Sequence, residues 1–370
     1  MRIADILVSL ASKVFVMTPE HADISALVDK NRLMEWMDSQ NLEDGPIYDM
    51  RFLPGGTQNI LLSLTRNNRI FVLRRPAAFP VQGSNKTMQR EARILRALAN
   101  TEVPHARLIA ACADEKVIGV AFYIMEPVDG FNATNGLPLP HANDHGMRRE
   151  MGFALIDALK ALSRVDYIAV GLGDFGKPDN FLLRQVSRWR KQLGDYQDFN
   201  GWPGPASLSG VDYVSDYLSA NCPDTFIPGI LHGDYSIGNV MYCSESSKLK
   251  AIVDWELSTI GDPLVDLGHI VATWHNSGGP NLSVLRVEPW GGFPSAEELI
   301  SRYKETGSRD LSNIDWYIVL ACYRLAIIVE GTYARACAGD GSMKVGMMLH
   351  ETAVLLMQRA LHHIEKRNTL

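Results

Sequence analysis

Leu231-His232-Gly233-Asp234-Tyr235-Ser236-Ile237-Gly238-Asn239-Val240, followed by Ala251-Ile252-Val253-Asp254-Trp255-Glu256, is the stretch from which the rest of the chain can be read. An aspartate and an asparagine stand five residues apart, with an apolar run after the asparagine. Fifteen residues beyond Asn239, Asp254 closes a second apolar run. A carboxylate placed beside a hydroxyl can orient it and take its proton, which suits Asp234. Amide and carboxylate oxygens are the hard donors that hold Mg²⁺, which suits Asn239 and Asp254. Asp and Asn also serve as turn and cap residues, because their short side chains bond to nearby backbone. A lone His-Gly-Asp would therefore say little. The spaced asparagine and the later apolar-run aspartate make the pattern specific.

Around this stretch the composition is that of an ordinary globular protein. The chain has 370 residues, room for two domains or one two-lobed unit. It is 46% hydrophobic and 21% charged, which excludes a disordered or collagen-like chain. The net charge of −6 argues against a nucleic-acid partner, since such proteins usually carry a basic domain. Cys112, Cys222, Cys243, Cys322 and Cys337 are scattered and include no C-x-x-C. A disulfide framework or zinc ribbon is not expected, and a reducing, cytoplasmic setting is. No apolar run is long enough to cross a bilayer, so no membrane partner is expected. Ile3, Ile6, Leu7, Leu10 and Val14 follow helical spacing, while Asp5 and Lys13 interrupt any signal-peptide core. Residues 1–16 are expected to form a short amphipathic helix, or to precede a start at Met17.

Periodicity predicts a helix over 29–40, with Leu33, Trp36 and Met37 on one face. Strands follow over 47–53, 59–66 and 69–75, the last two joined by a tight turn at Asn67-Asn68. After a Pro/Gly/Ser loop come a helix over 86–99 and strands near 107–112 and 117–126, with Gly119 as a candidate bulge. Beyond 141 helices dominate, over 145–164, 179–195, 211–220, 297–306, 314–336 and 342–366. Short strands are expected at 227–231, 239–243 and 250–254. The expected fold is α+β: a helical extension (1–45), a small β-rich lobe (46–127) and a larger helical lobe (128–370).

A second motif competes for attention. Gly171-Leu172-Gly173-Asp174-Phe175-Gly176 fits G-x-G-x-x-G, and Lys177 extends it to G-x-x-x-x-G-K. Pro178 then stands where a Ser or Thr would meet Mg²⁺, and it removes a backbone N–H from any phosphate cradle. The flanking chain also lacks the β-α alternation of a doubly wound sheet. Pro178-Asp179 reads instead as an ordinary helix start. A dinucleotide oxidoreductase built on this loop is the weakest of the function classes considered.

The spacing of Asp234, Asn239 and Asp254 is that of a kinase catalytic loop and its later metal-binding aspartate. The segment resembles the phosphotransferase enzyme family of aminoglycoside phosphotransferases, choline kinases and relatives, which share the protein-kinase-like bilobed fold. His-Gly-Asp in place of His-Arg-Asp, Asp254-Trp255-Glu256 in place of Asp-Phe-Gly, and the absence of an Ala-Pro-Glu segment favour this small-molecule branch. Thr259-Ile260-Gly261-Asp262-Pro263-Leu264-Val265-Asp266-Leu267-Gly268 is similar to that family too. The resemblance implies a buried scaffolding role for Asp266, while Asp262 is also readable as a plain helix cap. Val72-Leu73-Arg74-Arg75-Pro76, Arg90-Glu91-Ala92, Phe122 through Gly130, and Val165-Asp166 through Gly173 resemble the branch containing the kinase domains of acyl-CoA dehydrogenase family members ten and eleven.

The resemblance implies a kinase that uses ATP, or another nucleoside triphosphate, with Mg²⁺ on a small-molecule hydroxyl acceptor. Hydroxyacyl-CoAs are one acceptor class it implies; aminoglycosides and amino alcohols are the alternatives. A non-catalytic nucleotide-binding relative stays open, because Arg74-Arg75 occupies the place of the usual phosphate lysine. Oligomeric state is left open. Gly55-Gly56-Thr57 lies between two strands and could bring backbone N–H groups to phosphates, or be a plain hairpin turn. Strand alternation puts Arg74 on the face of Ile70 and Val72; the kinase Val-Ala-Ile-Lys pattern that the segment resembles implies that this face meets the nucleotide, and leaves Arg75 as a solvated strand-end charge. Glu91 is a plausible partner for Arg74, or an exposed helix glutamate. Glu126 and Val128 would offer backbone groups to the adenine edge. His232 could be a base, but its place before Gly233-Asp234 favours a structural role.

For the acceptor, neither half of the helical lobe is strongly acidic, which disfavours polycationic antibiotics. Trp189, Trp202, Trp274, Trp290 and Trp316 could line an apolar pocket or simply pack the core. Arg184, Arg188 and Lys191 share a helix face that could meet the phosphates of coenzyme A, or be a solvated basic surface. His362-His363 lacks metal-ligand spacing and reads as a surface pair.

Overall fold

The computed structural model describes residues 23–53, 59–275, 286–306 and 309–369. The expectations for residues 1–16 and for Gly55, Gly56 and Thr57 lie outside these residues. The chain divides into two compact units. One runs to Val128 apart from Glu102–Pro104; the other holds those three residues and everything from Asp129 onward.

The first unit is built on a five-stranded antiparallel sheet of order β1-β2-β3-β5-β4. Its strands are β1 (Ile47–Phe52), β2 (Asn59–Arg66), β3 (Arg69–Pro76), β4 (Leu108–Cys112) and β5 (Phe122–Met125). Asn67 and Asn68 join β2 to β3 with φ of 46° and 63°, the left-handed pair that a two-residue type I′ turn requires. Alternation along β3 sends Phe71, Leu73 and Arg75 to one face and Val72 and Arg74 to the other.

The first face is covered by α1 (Ile24–Leu27) and α2 (Lys30–Ser39). The Asp29 side chain caps α2 by accepting from the N–H groups of Asn31 and Arg32. Leu33 and Met37 are fully buried with Leu62, Leu64, Phe71 and Leu73, and Trp36 meets Phe122 edge-on at 4.8 Å. A third helix, α3 (Ser84–Leu98), buries Met88, Glu91, Ala92 and Leu95, a stripe at helical spacing. Strand β5 is shorter than expected: residues 115–120 turn, and Gly119 takes φ +83° in that turn rather than in a bulge.

Helices dominate the second unit: α4 (His145–Arg164), α5 (Phe181–Asp195), α6 (Val211–Ala220), α7 (Leu264–Thr273), α8 (Ala296–Thr306), α9 (Ile314–Cys337) and α10 (Met343–Thr369). Helix α9 is apolar around nearly its whole circumference, so it is buried and packs on α5, α6, α7 and α10. Trp189, Trp202, Trp274 and Trp316 are buried core residues. Two short ribbons complete the unit: β6 (Gly229–Leu231) with β9 (Thr259–Gly261), and β7 (Val240–Tyr242) with β8 (Leu249–Ile252). Strand β9 was not expected from the sequence.

The 171–176 loop does not open a nucleotide site. Residues 167–176 form successive turns with no strand before them. A Cβ at Gly176 would lie 2.5 Å from the Ile260 nitrogen, so this glycine lets the loop pack on β9. Helix α5 begins at Phe181 after Asn180 at φ 52°, later than the Pro178-Asp179 start expected. All five cysteines are free thiols, and among the described residues no helix is long and apolar enough to cross a membrane.

Candidate active site

Strand β6 delivers the chain into the Asp234 loop, and pairing of Leu231 with Thr259 fixes where that loop starts. Asp266, at the start of α7 and fully buried, holds the turn from below. Its two carboxylate oxygens accept from the backbone N–H groups of His232 at 2.7 Å and Gly233 at 2.9 Å. Burial pushes the Asp266 carboxyl up from its ordinary value, against the pull of His232 and these two N–H groups. Gly233 takes φ +88°, and a Cβ there would stand 2.5 Å from the Leu257 carbonyl oxygen. Both facts explain why glycine, not arginine, sits between His232 and Asp234.

Both ring nitrogens of His232 are engaged in hydrogen bonds to backbone groups. Its Nδ1 lies 3.3 Å from the Asp234 N–H and its Nε2 2.9 Å from the Val253 carbonyl, so Nδ1 accepts and Nε2 donates. Its ring packs against Trp255 at 5.0 Å. The imidazole ties the Asp234 loop to the chain leading into Asp254, which is a positioning role.

Asp234 is 8% exposed. Its Oδ2 accepts from Asn239 Nδ2 at 2.8 Å, and the same nitrogen reaches the Asp234 carbonyl at 2.7 Å. The amide nitrogen of Asn239 is thereby committed to Asp234. Pairing of Val240 with Ile252 continues one step further, where the Val253 N–H donates to the Asn239 carbonyl at 2.9 Å. Asp254 follows at φ 67°, ψ 61°, a left-handed backbone that a non-glycine residue adopts at some cost and that often marks a functional position. Asn239 and Asp254 are thus brought together by one hairpin register.

The donor set suits Mg²⁺ in a nucleotide complex. It offers one carboxylate and one amide oxygen, and that ion commonly takes one or two protein ligands plus phosphate oxygens and water. Among the described residues no group of three or more His, Cys, Asp or Glu could hold a metal by itself.

Two more residues approach Asp234 that sequence reasoning missed. His269 Nε2 is 3.5 Å from Asp234 Oδ1. Arg324, from α9, donates through Nη2 to the Gly233 carbonyl. Burial lowers the Arg324 pKa, while the charges of Asp234 and Asp266 oppose that shift. His269 sits one helical turn beyond Asp266, a faint local signal. For Arg324, ninety residues downstream, the sequence holds none.

In the first unit, Arg74 and Glu91 form a buried ion pair, Nε to Oε2 at 2.9 Å. Tyr123, the cross-strand partner of Arg74, donates its hydroxyl to the same Glu91 oxygen at 2.9 Å. Glu91 is therefore not an exposed helix glutamate. Arg75 is not a solvated charge either: it is buried on the opposite face and donates to the Leu27 and Pro76 carbonyls. Glu126 gives its N–H to the Arg107 carbonyl, so only its carbonyl could meet an adenine. Its side chain pairs with Arg69 and Arg107 near the surface.

The expected cationic face of α5 does not survive as a unit. Arg184 donates to the Lys177 and Asp179 carbonyls, and Lys191 pairs with Asp195 at 2.8 Å. Only Arg188 is left of the three. Asp262 is more than a cap: it accepts from the Leu264 N–H at 3.1 Å and from the Tyr317 hydroxyl at 2.5 Å. His363 is not on the surface, being buried with Nδ1 3.2 Å from Asp315.

Residues 49–299 match the model of the phosphotransferase enzyme family, and the chain belongs to that family. Its fold is α+β and protein-kinase-like. A protein from Ralstonia eutropha, provisionally named an aminoglycoside phosphotransferase, is 28% identical and superposes with a TM-score of 0.77 over 91% of this chain and 98% of that one. The aminoglycoside phosphotransferase APH(4)-Ia, solved with AMP-PNP and hygromycin B, shares the fold at a TM-score of 0.58 and 12% identity, over 88% of this chain and 98% of its own. Acyl-CoA dehydrogenase family member 10 of Mus musculus is 28% identical over 302 residues, 80% of this chain and 27% of that protein. Member 11 of Homo sapiens is 29% identical over 318 residues, 82% of this chain and 39% of that protein. The chain thus spans less than half the length of these curated relatives. Family match and fold agree on a member of the phosphotransferase enzyme family.

Proposed function

We propose that the protein transfers the γ-phosphate of ATP, or another nucleoside triphosphate, to the hydroxyl of a small-molecule acceptor, with Asp234 orienting that hydroxyl and taking its proton. The observation that carries this is the pair of hydrogen bonds that Asn239 Nδ2 donates to Asp234, together with the Val253 N–H on the Asn239 carbonyl. It supports reading Asp234 as the hydroxyl-orienting carboxylate and Asn239 and Asp254 as the hard-oxygen ligands. Asn239 and Asp254 would hold Mg²⁺, which when bound offsets charge on the transferring phosphate. Arg74, held by Glu91, would meet the nucleotide phosphates as a bidentate donor in place of the usual lysine. The Glu126 carbonyl and Val128 would meet the adenine edge, and Gly55, Gly56 and Thr57 the phosphates. AMP-PNP in the APH(4)-Ia complex supports ATP as the donor.

The relatives' names bring acyl-CoA chemistry into view, so hydroxyacyl-CoAs belong in the acceptor screen beside amino alcohols and aminoglycosides. Transfer of labelled phosphate from ATP to any of these, lost in Asp254→Ala and on chelation of Mg²⁺, is the expected result. Mg-ATP binding should also weaken more in Asp254→Ala than in Asn239→Ala, because a carboxylate contributes more than a neutral amide. Nucleotide binding without transfer across the screen would point to a non-catalytic relative.

A further inference from the structure

We propose that Arg188, Trp189 and Arg324 form the seat for a compact anionic group, a carboxylate or a phosphate ester, that the acceptor carries close to its reacting hydroxyl. This rests on the phosphotransfer reading of Asp234 and adds the class of molecule that it would act on. The two guanidinium groups stand over the same indole ring, 5.1 Å (Arg188) and 5.6 Å (Arg324) from the Trp189 ring centre. Both are cations, and the Arg188 pKa is lowered by burial and then by the charge of Arg324.

The surrounding cations differ in having partners. Arg184 bonds to two carbonyls, Arg190 to Asp212 and Asp216, and Lys191 to Asp195. Arg188 has no hydrogen-bond or ion-pair partner among the described residues. The Nε–H of Arg324 and the indole N–H of Trp189 are buried without an acceptor, although Trp189 is only 3% exposed. The Arg188 guanidinium and one N–H each of Arg324 and Trp189 thus collect where no acceptor answers them. Buried unanswered donors are uncommon in native structures and mark a place where an ion or ligand belongs. Guanidinium pairs suit carboxylates and phosphates, which accept several charge-assisted bonds at once.

Position supplies the second half of the inference. The Nη2 of Arg324 holds the carbonyl of Gly233, the residue before Asp234. An anion on this seat therefore belongs to the part of the acceptor that bears the hydroxyl. That disfavours aminoglycosides, whose cations the pair would repel. It also disfavours contact with coenzyme A phosphates, which lie at the far end of a long pantetheine arm from a thioester-linked hydroxyl. A hydroxy acid or a phosphorylated alcohol fits.

The test measures binding by calorimetry and phosphate transfer from Mg-ATP for matched probes: 3-hydroxybutyrate against 3-hydroxybutyramide, glycerate against glyceramide, glycerol 3-phosphate against glycerol, and 3-hydroxybutyryl-CoA. At least one anionic probe should bind about tenfold or more tighter than its neutral counterpart, the size expected of a charge-assisted pair. Arg188→Gln should erase that preference, Arg188→Lys should keep part of it, and Trp189→Phe should weaken it while keeping the ring. The carboxylate and phosphate arms identify which anion is read. A wild-type protein indifferent to charge, a preference that persists in Arg188→Gln, or 3-hydroxybutyryl-CoA favoured over the free acid would overturn the proposal. Arg188-dependent anion binding without transfer would sink the phosphotransfer reading and leave the seat standing. Transfer to neutral or cationic acceptors alone would do the reverse.

Discussion

Arg74, Glu91 and Tyr123 in the first unit and His232, Asp234, Asn239 and Asp266 in the second are both buried polar clusters, and they are stabilised by different means. In the first, a cation from a strand meets an anion from a helix, and a tyrosine hydroxyl supplies a second donor. Both of these contacts are side chain to side chain. In the second, Asp266 is answered by two backbone N–H groups and Asn239 reaches a backbone carbonyl as well as a carboxylate. A cluster of the first kind depends on charge and reach. One of the second kind depends on the course of the main chain, so a side-chain change there displaces the loop that carries Asp234. The difference teaches what each can tolerate: a substitute of like charge in the first, and in the second little change at the residues that hold the main chain, Asp266 above all.

The strongest way to separate position from chemistry in the second cluster is Asp234→Asn, which keeps the shape and removes the proposed base. Turnover should fall by about 10²-fold or more, the usual size for loss of a general base. Thermal stability and Mg-nucleotide affinity should hold. Unchanged turnover would reduce Asp234 to another scaffold residue and erase the distinction between it and Asp266.

The first cluster is tested by a pair of substitutions at Arg74. Arg74→Met leaves Glu91 buried without its cation and should cost about 3–5 kcal/mol, read from urea unfolding. Arg74→Lys keeps the charge and should cost far less, with nucleotide affinity falling by less than about tenfold, since lysine loses the fork but not the ion pair. If both variants suffer equally, geometry rather than charge governs the first cluster too, and the comparison collapses.

The two clusters also differ in how far the sequence reveals them. Asp234, Asn239 and Asp254 were legible because one loop and one hairpin carry all three, so spacing is geometry. Arg74 and Glu91 were legible through strand alternation and the helix that follows. Tyr123 was not, because its place opposite Arg74 depends on β5 pairing with β3, a strand more than forty residues earlier, as well as with its chain neighbour β4. Arg324 and the burial of His363 depend on α9 and α10 packing, which no local pattern encodes. Strand β9 is three residues long, too short for periodicity to register. Arg75 misled because a charged residue at a strand end is usually solvated, whereas here α1 offers it a carbonyl. The fold class needed only the order of a β-rich stretch and long apolar helices. The interlocking of Arg184, Lys191 and their partners needed coordinates.

Asp266→Asn probes the second cluster more gently than deletion would. One amide oxygen can still accept from His232 or Gly233, but the NH₂ group faces the other N–H. The expected cost is about 1–3 kcal/mol, that of one buried unsatisfied donor. The pH dependence has a definite sign. Burial raises the Asp266 carboxyl, so its ionised form is costlier in the folded chain than in the unfolded one. That cost is absent when pH falls below the ordinary 3.8 and complete above the raised folded value. The wild-type margin over Asp266→Asn should therefore narrow as pH rises through that window. A margin that widens would mean that the two N–H bonds outweigh burial.

A pair lying partly in solvent calibrates both clusters, and Asp315 with His363 provides it by joining α9 to α10 at 3.2 Å. Asp315 is 36% exposed at its side chain, so water screens much of the attraction. Asp315→Asn should cost no more than about 1 kcal/mol, the range of ion pairs open to solvent. The hydrogen bond from His363 lowers the Asp315 pKa below its ordinary 3.8. A lowered carboxylate contributes stability that is complete above that ordinary value and is lost as pH falls through the folded one. Urea unfolding of both proteins at neutral pH and at steps below pH 4 should thus show the small difference vanish at the acid end. A cost at neutral pH matching that of Arg74→Met would show that burial is not what sets the first cluster apart.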